Sequence, residues 1–311
     1  MTLPFALCLF LAVQTVFACG AQTVSRPVSR SFRDLDEVEN AAPPSRAEQV
    51  MRALAAAYPR RIEQVEFRND DWAVSMDGAW YYYAGGKLLP EELLKDAENY
   101  SSQPFYNYQS ELPPWKEPSP EEAERFRNMA NNRGRSPSRR SPQFFDDLWQ
   151  VHNRDESYQR VKSLSLLGKS ANVHHAILED LSLVEKRILS LAKTSTEVQS
   201  WINGIDTLDG WSWRNIADTQ TRSFHAYGAA VDILPKSLGG KETYWIWAAR
   251  KRPEWWNISY SERFHPPVAV IKAFESYGFI WGGKWLFFDT MHFEYRPEIM
   301  ILSGIKLESS R

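Results

Sequence analysis

Cysteine is nearly missing from this sequence: among 311 residues only Cys8 and Cys19 are cysteines, and both lie near the amino terminus. A disulfide framework therefore cannot stabilise the main part of the chain. An excess of positive charge is missing too, because 37 Lys and Arg residues are balanced by 39 Asp and Glu residues. Proteins that bind nucleic acids through their phosphates need such an excess, so we predict no nucleic-acid partner. The length still allows a full hydrophobic core.

Long hydrophobic runs are also scarce, and the clearest one is the opening segment MTLPFALCLFLAVQTVFACGAQ. This run is shorter than a membrane span and ends in small residues, as a secretory signal does, although no Lys or Arg precedes it. We predict a signal peptide over residues 1–21 and export to the cell envelope, either to the periplasm or as a membrane-anchored lipoprotein. The stretch VFACG resembles the lipobox of bacterial lipoproteins, which implies a lipid anchor on Cys19. Ordinary cleavage after Ala18 or Ala21 is the alternative.

The amino-terminal half divides into a tether and an accessory region. Residues 22–44 are rich in Ser, Arg, Pro and acidic side chains without apolar periodicity, which predicts a flexible tether. Residues 45–160 begin with SRAEQVMRALAAAYPRRI, typical of a short helix, followed by WAVSMDGAWYYYAGGKLLP, typical of a hairpin. Residues 113–143 mix Pro, Arg and Ser around one possible helical turn, which predicts a mobile surface segment. Its arginines, from Arg133 to Arg140, are interpreted as a solvated loop rather than a site for anionic polymers.

The carboxy-terminal half, residues 161–311, is predicted to be the catalytic domain. The stretch VHHAILEDLSLVEKRILSLAK repeats apolar residues every three or four positions and predicts a helix, with His174 and His175 in structural roles at its beginning. The stretch TSTEVQSWINGI predicts a second helix, capped from within Thr194–Thr196. We expect an α+β fold, with helices packed on a small antiparallel sheet.

An acidic residue stands in the middle of the apolar, strand-like run RSFHAYGAAVDIL. An ionised Asp232 in such surroundings is costly unless a cation or hydrogen bonds compensate it. His225 precedes the strand, and a bend at Gly228 would bring its imidazole towards the carboxylate. The alternative is an ordinary buried histidine with a hydrogen-bonded carboxylate.

A second strand-like run, GGKWLFFDTMHFEYRP, carries three more polar side chains, Asp289, His292 and Glu294. Two histidines and one carboxylate bind zinc with one position open for water, as in catalytic zinc sites, and imidazole favours zinc over calcium or magnesium. The sequence therefore predicts a single zinc ion and hydrolysis of an amide, with a nearby carboxylate as the general base.

These residues resemble a known family. SFHAYGAAVD fits the Ser-x-His-x-x-Gly-x-Ala-x-Asp pattern of the M15 metallopeptidases, which include the VanY-like D-alanyl-D-alanine carboxypeptidases and their endolysin relatives. DTMHFE is similar to the second zinc motif of one VanY-like branch, and the resemblance extends from about Val198 to Pro297. It implies the M15 or hedgehog-like zinc peptidase fold and names His225, Asp232 and His292 as the zinc ligands.

The resemblance also implies roles for residues around the metal. The wider family has Glu three residues before the last ligand histidine, where this chain has Asp289, so Asp289 is the favoured general base. Glu294 is the alternative, because strand periodicity puts it on the same face as His292. An arginine ahead of the first motif holds a substrate carboxylate or carbonyl in the family. Arg214 fits that role best and Arg222 second.

The implied substrate is a peptide of peptidoglycan, with Ser223 and Tyr227 orienting ligands or lining the site. We predict a D-alanyl-D-alanine carboxypeptidase, and a peptidoglycan endopeptidase of the same family is the alternative. A zinc-containing protein that binds wall peptides without cutting them is a further alternative. Asp289 distinguishes it, because a protein that only binds needs no base beside the metal.

Overall fold

Short antiparallel strands form three sheets in this computed structural model, which describes residues 43–135 and 138–308. The first sheet has the order β1-β2-β3-β4, the second pairs β5 with β6, and the third has the order β7-β8-β10-β9, where the strands are β1 Gln64–Arg68, β2 Asp71–Met76, β3 Ala79–Tyr82, β4 Leu89–Pro90, β5 Val161–Leu166, β6 Lys169–His174, β7 Ile205–Asp209, β8 Ala230–Pro235, β9 Phe279–Trp281 and β10 His292–Tyr295. Together with the helices, these small sheets are consistent with the α+β prediction.

The helices are short and lie between and around the sheets. They are α1 Arg46–Ala57, α2 Pro120–Asn131, α3 Gln143–Trp149, α4 Arg154–Arg160, α5 Leu178–Ala192, α6 Thr196–Asn203, α7 Phe224–Tyr227, α8 Trp245–Ala249, α9 Val268–Ser276 and α10 Pro297–Leu302. Within the described residues none of them combines the length and the apolar character that crossing a bilayer requires.

Local signals set the first helix and the first hairpin. The Ser45 hydroxyl accepts a hydrogen bond of 3.2 Å from the backbone N–H of Glu48, which caps α1, and Pro59 follows the end of the helix. The turn between β2 and β3 is Asp77-Gly78, and both residues have positive φ, 50° and 79°. Such a turn suits the right-handed twist of a hairpin. Both predictions are confirmed.

The two predicted helices of the carboxy-terminal half are confirmed as α5 and α6. The Ser195 hydroxyl caps α6 by accepting a hydrogen bond of 3.3 Å from the Val198 backbone N–H. Helix α5 begins later than its pattern, because His174 is the last residue of β6. There a ring nitrogen of buried His174 lies 3.0 Å from the backbone oxygen of Trp149, which gives this residue a structural role.

The single helical turn predicted within residues 113–143 is wrong in extent, because Pro120–Asn131 form the twelve-residue helix α2. Ser119 and Glu122 form a capping box at its start, so two backbone N–H groups that a helix leaves unpaired are satisfied. Phe126 packs against a buried aromatic cluster, which contains Trp245, Ala248, Trp255, Trp256, Ile258 and Phe288. The sequence did not predict the length of this helix, because α2 has no fully buried side chain and hence no strong apolar periodicity.

The main hydrophobic core takes residues from both halves of the chain. Val50 and Phe144 belong to the same buried cluster as Val231 and Phe293, and α1 packs against α10. The described residues from Pro44 onwards form one compact unit. The predicted boundary after residue 160 lies between α4 and β5.

The predicted signal peptide, residues 1–21 with Cys19, lies outside the described residues. The predicted tether, residues 22–44, lies outside them as well, apart from its last two positions.

Candidate metal centre

His225 lies on the one-turn helix α7, which begins after a capping serine and ends at a glycine. The Ser223 hydroxyl accepts a hydrogen bond of 3.3 Å from the backbone N–H of His225 at the start of the helix. Gly228 ends it with φ 70°, and a Cβ there would come within 2.7 Å of the backbone nitrogen of His174, so only glycine fits. The chain then enters β8, which carries Asp232. The predicted bend at Gly228 is confirmed.

His292 is the first residue of β10, and strand pairing places it next to the acidic residue. Strands β8 and β10 are antiparallel, and His292 stands directly opposite Asp232 in the register. Side chains of directly opposed residues on one face lie close enough to interact. Two parts of the sequence 60 positions apart are therefore joined by one cross-strand pair.

The three side chains meet in a triangle, which we call the His-Asp-His group. The distance is 3.1 Å from His225 Nε2 to His292 Nδ1, 2.8 Å from His292 Nδ1 to Asp232 Oδ1, and 3.2 Å from His225 Nε2 to Asp232 Oδ1. Ligands of a tetrahedral zinc ion with bonds of about 2.0–2.1 Å lie about 3.3 Å apart, so these atoms fit one ion. The Asp232 side chain keeps 15% of its surface exposed, which leaves solvent access.

Outer hydrogen bonds orient both imidazoles of the His-Asp-His group. His225 Nδ1 lies 2.5 Å from the backbone oxygen of Gly210, and His292 Nε2 lies 3.2 Å from a carboxylate oxygen of Glu294. Because these partners only accept, each of those nitrogens carries a proton, and the other nitrogen of each ring faces Asp232. Two imidazole nitrogens and one carboxylate oxygen converge there, and this donor set fits zinc.

Charge effects in the His-Asp-His group favour a bound positive charge. Burial opposes protonation of His292, but hydrogen bonds to Asp232 and Glu294 outweigh it and raise its pKa to about 10. Burial likewise opposes ionisation of Asp232, but His225 and His292 hold its pKa well below the usual range. Without a metal ion, the proton on His292 supplies the positive charge beside Asp232, and a bound metal ion would replace that proton.

Asp289 lies in the loop before β10, beside the His-Asp-His group. Its backbone N–H donates a hydrogen bond of 3.1 Å to the backbone oxygen of Gly282. Burial, followed by the charge of Asp232, raises the pKa of the half-buried Asp289 carboxyl to about 7, while His292 and Arg214 act in the opposite direction. A carboxyl with such a pKa can exchange protons near neutrality.

Arg214 stands at the exposed edge of the same group. One of its terminal nitrogens lies 3.8 Å from Asp232 Oδ2, and 46% of its side chain is exposed. The backbone oxygen of Arg214 accepts a hydrogen bond of 3.1 Å from the Ser223 N–H, which ties it to the cap of α7. Its guanidinium is thus available to a ligand that approaches from solvent.

Arg222 and Tyr227 are engaged elsewhere. Arg222 pairs with buried Asp146, and the Tyr227 hydroxyl donates a hydrogen bond of 2.7 Å to the same carboxylate. The Arg222 guanidinium also lies over the ring of Trp213, 4.6 Å from its centroid. The structure therefore gives these two predicted substrate-binding residues a partner inside the protein.

Glu294 belongs to a buried chain of ionic groups that leads away from His292. One carboxylate oxygen lies 3.2 Å from His292 Nε2, and the other accepts a hydrogen bond of 3.2 Å from Arg296. Arg296 also donates to Glu298, and the Tyr58 hydroxyl donates to the second oxygen of Glu298 at 2.8 Å. Both Glu294 oxygens are thus occupied, which suits a residue that orients a ligand histidine.

Some contributors to the site carry no recognisable motif. A Cβ on Gly210 would lie 2.2 Å from the backbone oxygen of Asn172, so glycine is needed where the acceptor for His225 stands. The ring of Trp285 lies 5.4 Å from that of His292. The alternating charges of Glu294, Arg296 and Glu298 in the sequence could have indicated the buried ionic chain. No sequence pattern indicated that Tyr58 would join it.

Comparisons with known proteins add to this geometry. Residues 217–295 match a peptidase M15 family model described as D-alanyl-D-alanine carboxypeptidase. Residues 50–105 match a model described as a domain of unknown function. The comparison with curated proteins gave no match, and neither did the comparison with solved structures. The segment that contains the whole His-Asp-His group is therefore similar to D-alanyl-D-alanine carboxypeptidases of peptidase family M15.

Proposed function

We propose that this protein is a zinc-dependent peptidase that acts on peptidoglycan peptides, as a D-alanyl-D-alanine carboxypeptidase of the VanY-like type. The observation that carries the proposal is the convergence of three ligand atoms within 3.2 Å of one another, next to a carboxyl whose pKa is raised to about 7. The match of residues 217–295 to the carboxypeptidase model supports the substrate class.

His225, Asp232 and His292 are the residues that would hold the ion. Zinc supplies an acidified water and an electrophile for the scissile carbonyl when it is bound. Gly210 and Glu294 keep the two imidazoles in the tautomers that ligation requires. The M15 fold assignment rests on this same set of residues.

Asp289 acts as the general base in the proposed reaction. Its carboxylate takes a proton from the attacking water and gives it to the leaving amine, which a pKa near neutrality permits. Arg214, with its exposed guanidinium beside Asp232, holds the substrate carbonyl. Glu294 is the weaker candidate for the base, because His292 and Arg296 occupy its oxygens.

The proposed place of action is the cell envelope. A peptidoglycan substrate requires export, and residues 1–21 have the composition of a secretory signal. Lipidation at Cys19 would keep the enzyme at the membrane.

Digestion of a defined peptide tests the proposal. Purified protein is incubated with Nα,Nε-diacetyl-L-Lys-D-Ala-D-Ala and with cross-linked wall fragments, products are identified by mass spectrometry, and bound metal is measured. We expect release of D-alanine by the wild type, loss of cleavage with zinc retained in Asp289→Asn, and loss of both in His292→Ala.

Asp206→Asn serves as the matched control, since Asp206 is an exposed aspartate on β7. It should behave as wild type. Cleavage of cross-linked fragments alone would identify an endopeptidase, and zinc binding without any cleavage by the wild type would identify a binding protein. If Asp289→Asn cleaved the peptide as fast as wild type, a residue other than Asp289 would be the general base.

A further inference from the structure

Arg133 makes no ion pair with a carboxylate among the described residues, although the charge of Asp218 acts on it at longer range. Its Nε atom is buried and makes no hydrogen bond. The side chain as a whole is half-buried, and burial lowers its pKa, although Tyr244 and Asp218 are near enough to oppose that effect. A half-buried guanidinium whose Nε atom lacks an acceptor is costly, so this position suits an anion that comes from outside the chain.

Aromatic rings hold Arg133 in place. Its guanidinium carbon lies 5.1 Å from the ring centroid of Trp245 and 4.5 Å from that of Phe287. Two such faces restrict the side chain while leaving the edge of the guanidinium plane free for hydrogen bonds. The side chain is therefore arranged before any ligand arrives, which reduces the entropy cost of binding.

The backbone around Arg133 is fixed to the half of the chain that carries the metal ligands. Helix α2 ends just before it, and Phe126 of that helix packs on the aromatic cluster around Trp245. A Cβ on Gly134, which has φ 70°, would lie 1.9 Å from the backbone oxygen of Asp218. The turn after α2 therefore lies directly against the backbone of the loop that precedes His225, and only glycine fits there.

Arg133 also lies near the proposed general base. Phe287, over which it stacks, is two residues before Asp289, and Tyr244 pairs with Asp289 in an antiparallel bridge. Tyr244 interacts electrostatically with Asp289, Arg133 and Arg214. The guanidinium groups of Arg133 and Arg214 therefore both lie near the half-buried Tyr244, which is paired with Asp289.

Only Arg214 of these two arginines makes a direct contact with the His-Asp-His group among the described residues. Arg214 lies 3.8 Å from Asp232, whereas Arg133 has no contact with any of the three residues among the described parts of the chain. A peptide whose scissile carbonyl is at the metal would place Arg214 beside that carbonyl. The next polar group of that peptide, on the carboxy-terminal side of the scissile bond, would lie farther from the metal than the scissile carbonyl does.

We infer that Arg133 binds the free carboxyl terminus of the substrate and so makes the site a carboxypeptidase rather than an endopeptidase. This inference rests on the proposed function. A planar guanidinium can hold a carboxylate through two parallel hydrogen bonds, and an interior peptide bond offers no such group. The segment that supplies Arg133 lies outside residues 217–295, the part similar to carboxypeptidases.

The test compares two peptides that differ only at the carboxyl terminus, Nα,Nε-diacetyl-L-Lys-D-Ala-D-Ala and its carboxamide. Binding is measured by calorimetry in the Asp289→Asn background, and kcat/KM is measured with the base intact. In both measurements we expect the free acid to be favoured by about 10- to 100-fold, the range of a charge-assisted pair. Arg133→Gln should remove this preference and leave the values for the carboxamide unchanged.

Two controls accompany the test. Arg125→Gln removes an exposed arginine of α2 that pairs with Glu122 at 3.7 Å, and it should keep the full preference. Arg133→Lys keeps the charge without the planar fork and should retain part of the preference. Thermal unfolding and zinc content confirm that each variant is folded and loaded.

The outcomes separate this inference from the proposed function. Acid-selective binding that depends on Arg133, in a protein that cuts neither peptide, would uphold the carboxylate site and refute the peptidase. Equal binding of acid and carboxamide by the wild type overturns the inference, even if both peptides are cut. An equal loss for both peptides in Arg133→Gln also overturns it, because a carboxylate anchor affects only the acid.

Discussion

The Tyr58 hydroxyl donates a hydrogen bond of 2.8 Å to Glu298, and this bond joins helix α1 to the buried ionic chain that ends at His292. Glu298 is fully buried and Arg296 nearly so. Buried charges are stable only when they have partners, so Tyr58, which follows the amino-terminal helix, contributes to a network that supports the His-Asp-His group. The accessory region thus contributes to the site by contact rather than by supplying ligands.

We predict that Tyr58→Phe destabilises the protein by about 1–3 kcal/mol, because Glu298 loses a donor in a buried position. Chemical denaturation followed by circular dichroism measures the free energy of unfolding. Tyr158→Phe, at an exposed tyrosine of α4, should change it by less than about 0.5 kcal/mol. Equal stability of the two variants would mean that the hydrogen bond to Glu298 contributes nothing.

Glu294→Gln tests whether this residue supports a ligand or acts as the base. If Glu294 orients His292, the variant should bind zinc about 10- to 100-fold more weakly, yet recover cleavage when zinc is saturating. Competition with a chromogenic chelator gives the zinc affinity, and peptide cleavage at rising zinc gives the activity. A variant that is fully loaded with zinc and still inactive would favour Glu294 as the base.

Gly210→Ala should disturb the orientation of His225. The added methyl group would lie 2.2 Å from the backbone oxygen of Asn172, so the strand must shift and the acceptor for His225 Nδ1 shifts with it. We expect weaker zinc binding by at least about 10-fold, as for the loss of an outer-shell partner. Gly204→Ala, where the nearest contacts are 3.3 Å, is the control and should bind zinc as wild type does.

His174 makes the stability depend on pH. Burial, with a smaller contribution from His175, lowers the pKa of His174 to about 3, whereas an unfolded histidine titrates at about 6.5. Below pH 6.5 His174 binds a proton in the unfolded chain, whereas in the folded chain it stays neutral down to about pH 3. Stability from this residue is therefore complete above pH 6.5 and is lost as the pH falls, by up to about 1.4 kcal/mol per pH unit.

The measurement compares denaturation of wild type and His174→Gln at pH 7, 6 and 5. Glutamine can donate to the Trp149 carbonyl and accept from the Ala176 N–H without taking a proton. The difference between the two proteins cancels contributions from the metal and from other titrating groups. We expect the difference in free energy of unfolding between wild type and His174→Gln to shrink as the pH falls. The same difference at all three pH values would contradict the burial of a neutral His174.

Much of the site could be predicted from short stretches of sequence. Asp232 in an apolar strand, with His225 ahead of a glycine, pointed to a cation because a buried charge needs one. The capped helices α1 and α6 and the Asp77-Gly78 hairpin could also be predicted, since their signals lie within a few residues of one another. By contrast, β10 begins only at His292, so Asp289 is in a loop rather than in the predicted strand-like run.

The sequence by itself determined which residues are able to bind a metal and where the chain had to turn. The free-energy cost of burying a charge, the capping of a helix and the conformation of a glycine all depend on residues close together in the chain. Tertiary structure alone decided that Tyr58 reaches Glu298, that Gly210 supplies the acceptor for His225, and that Arg133 stands over Phe287. Those contacts join residues far apart in the chain, and their energies arise only when packing brings the groups together.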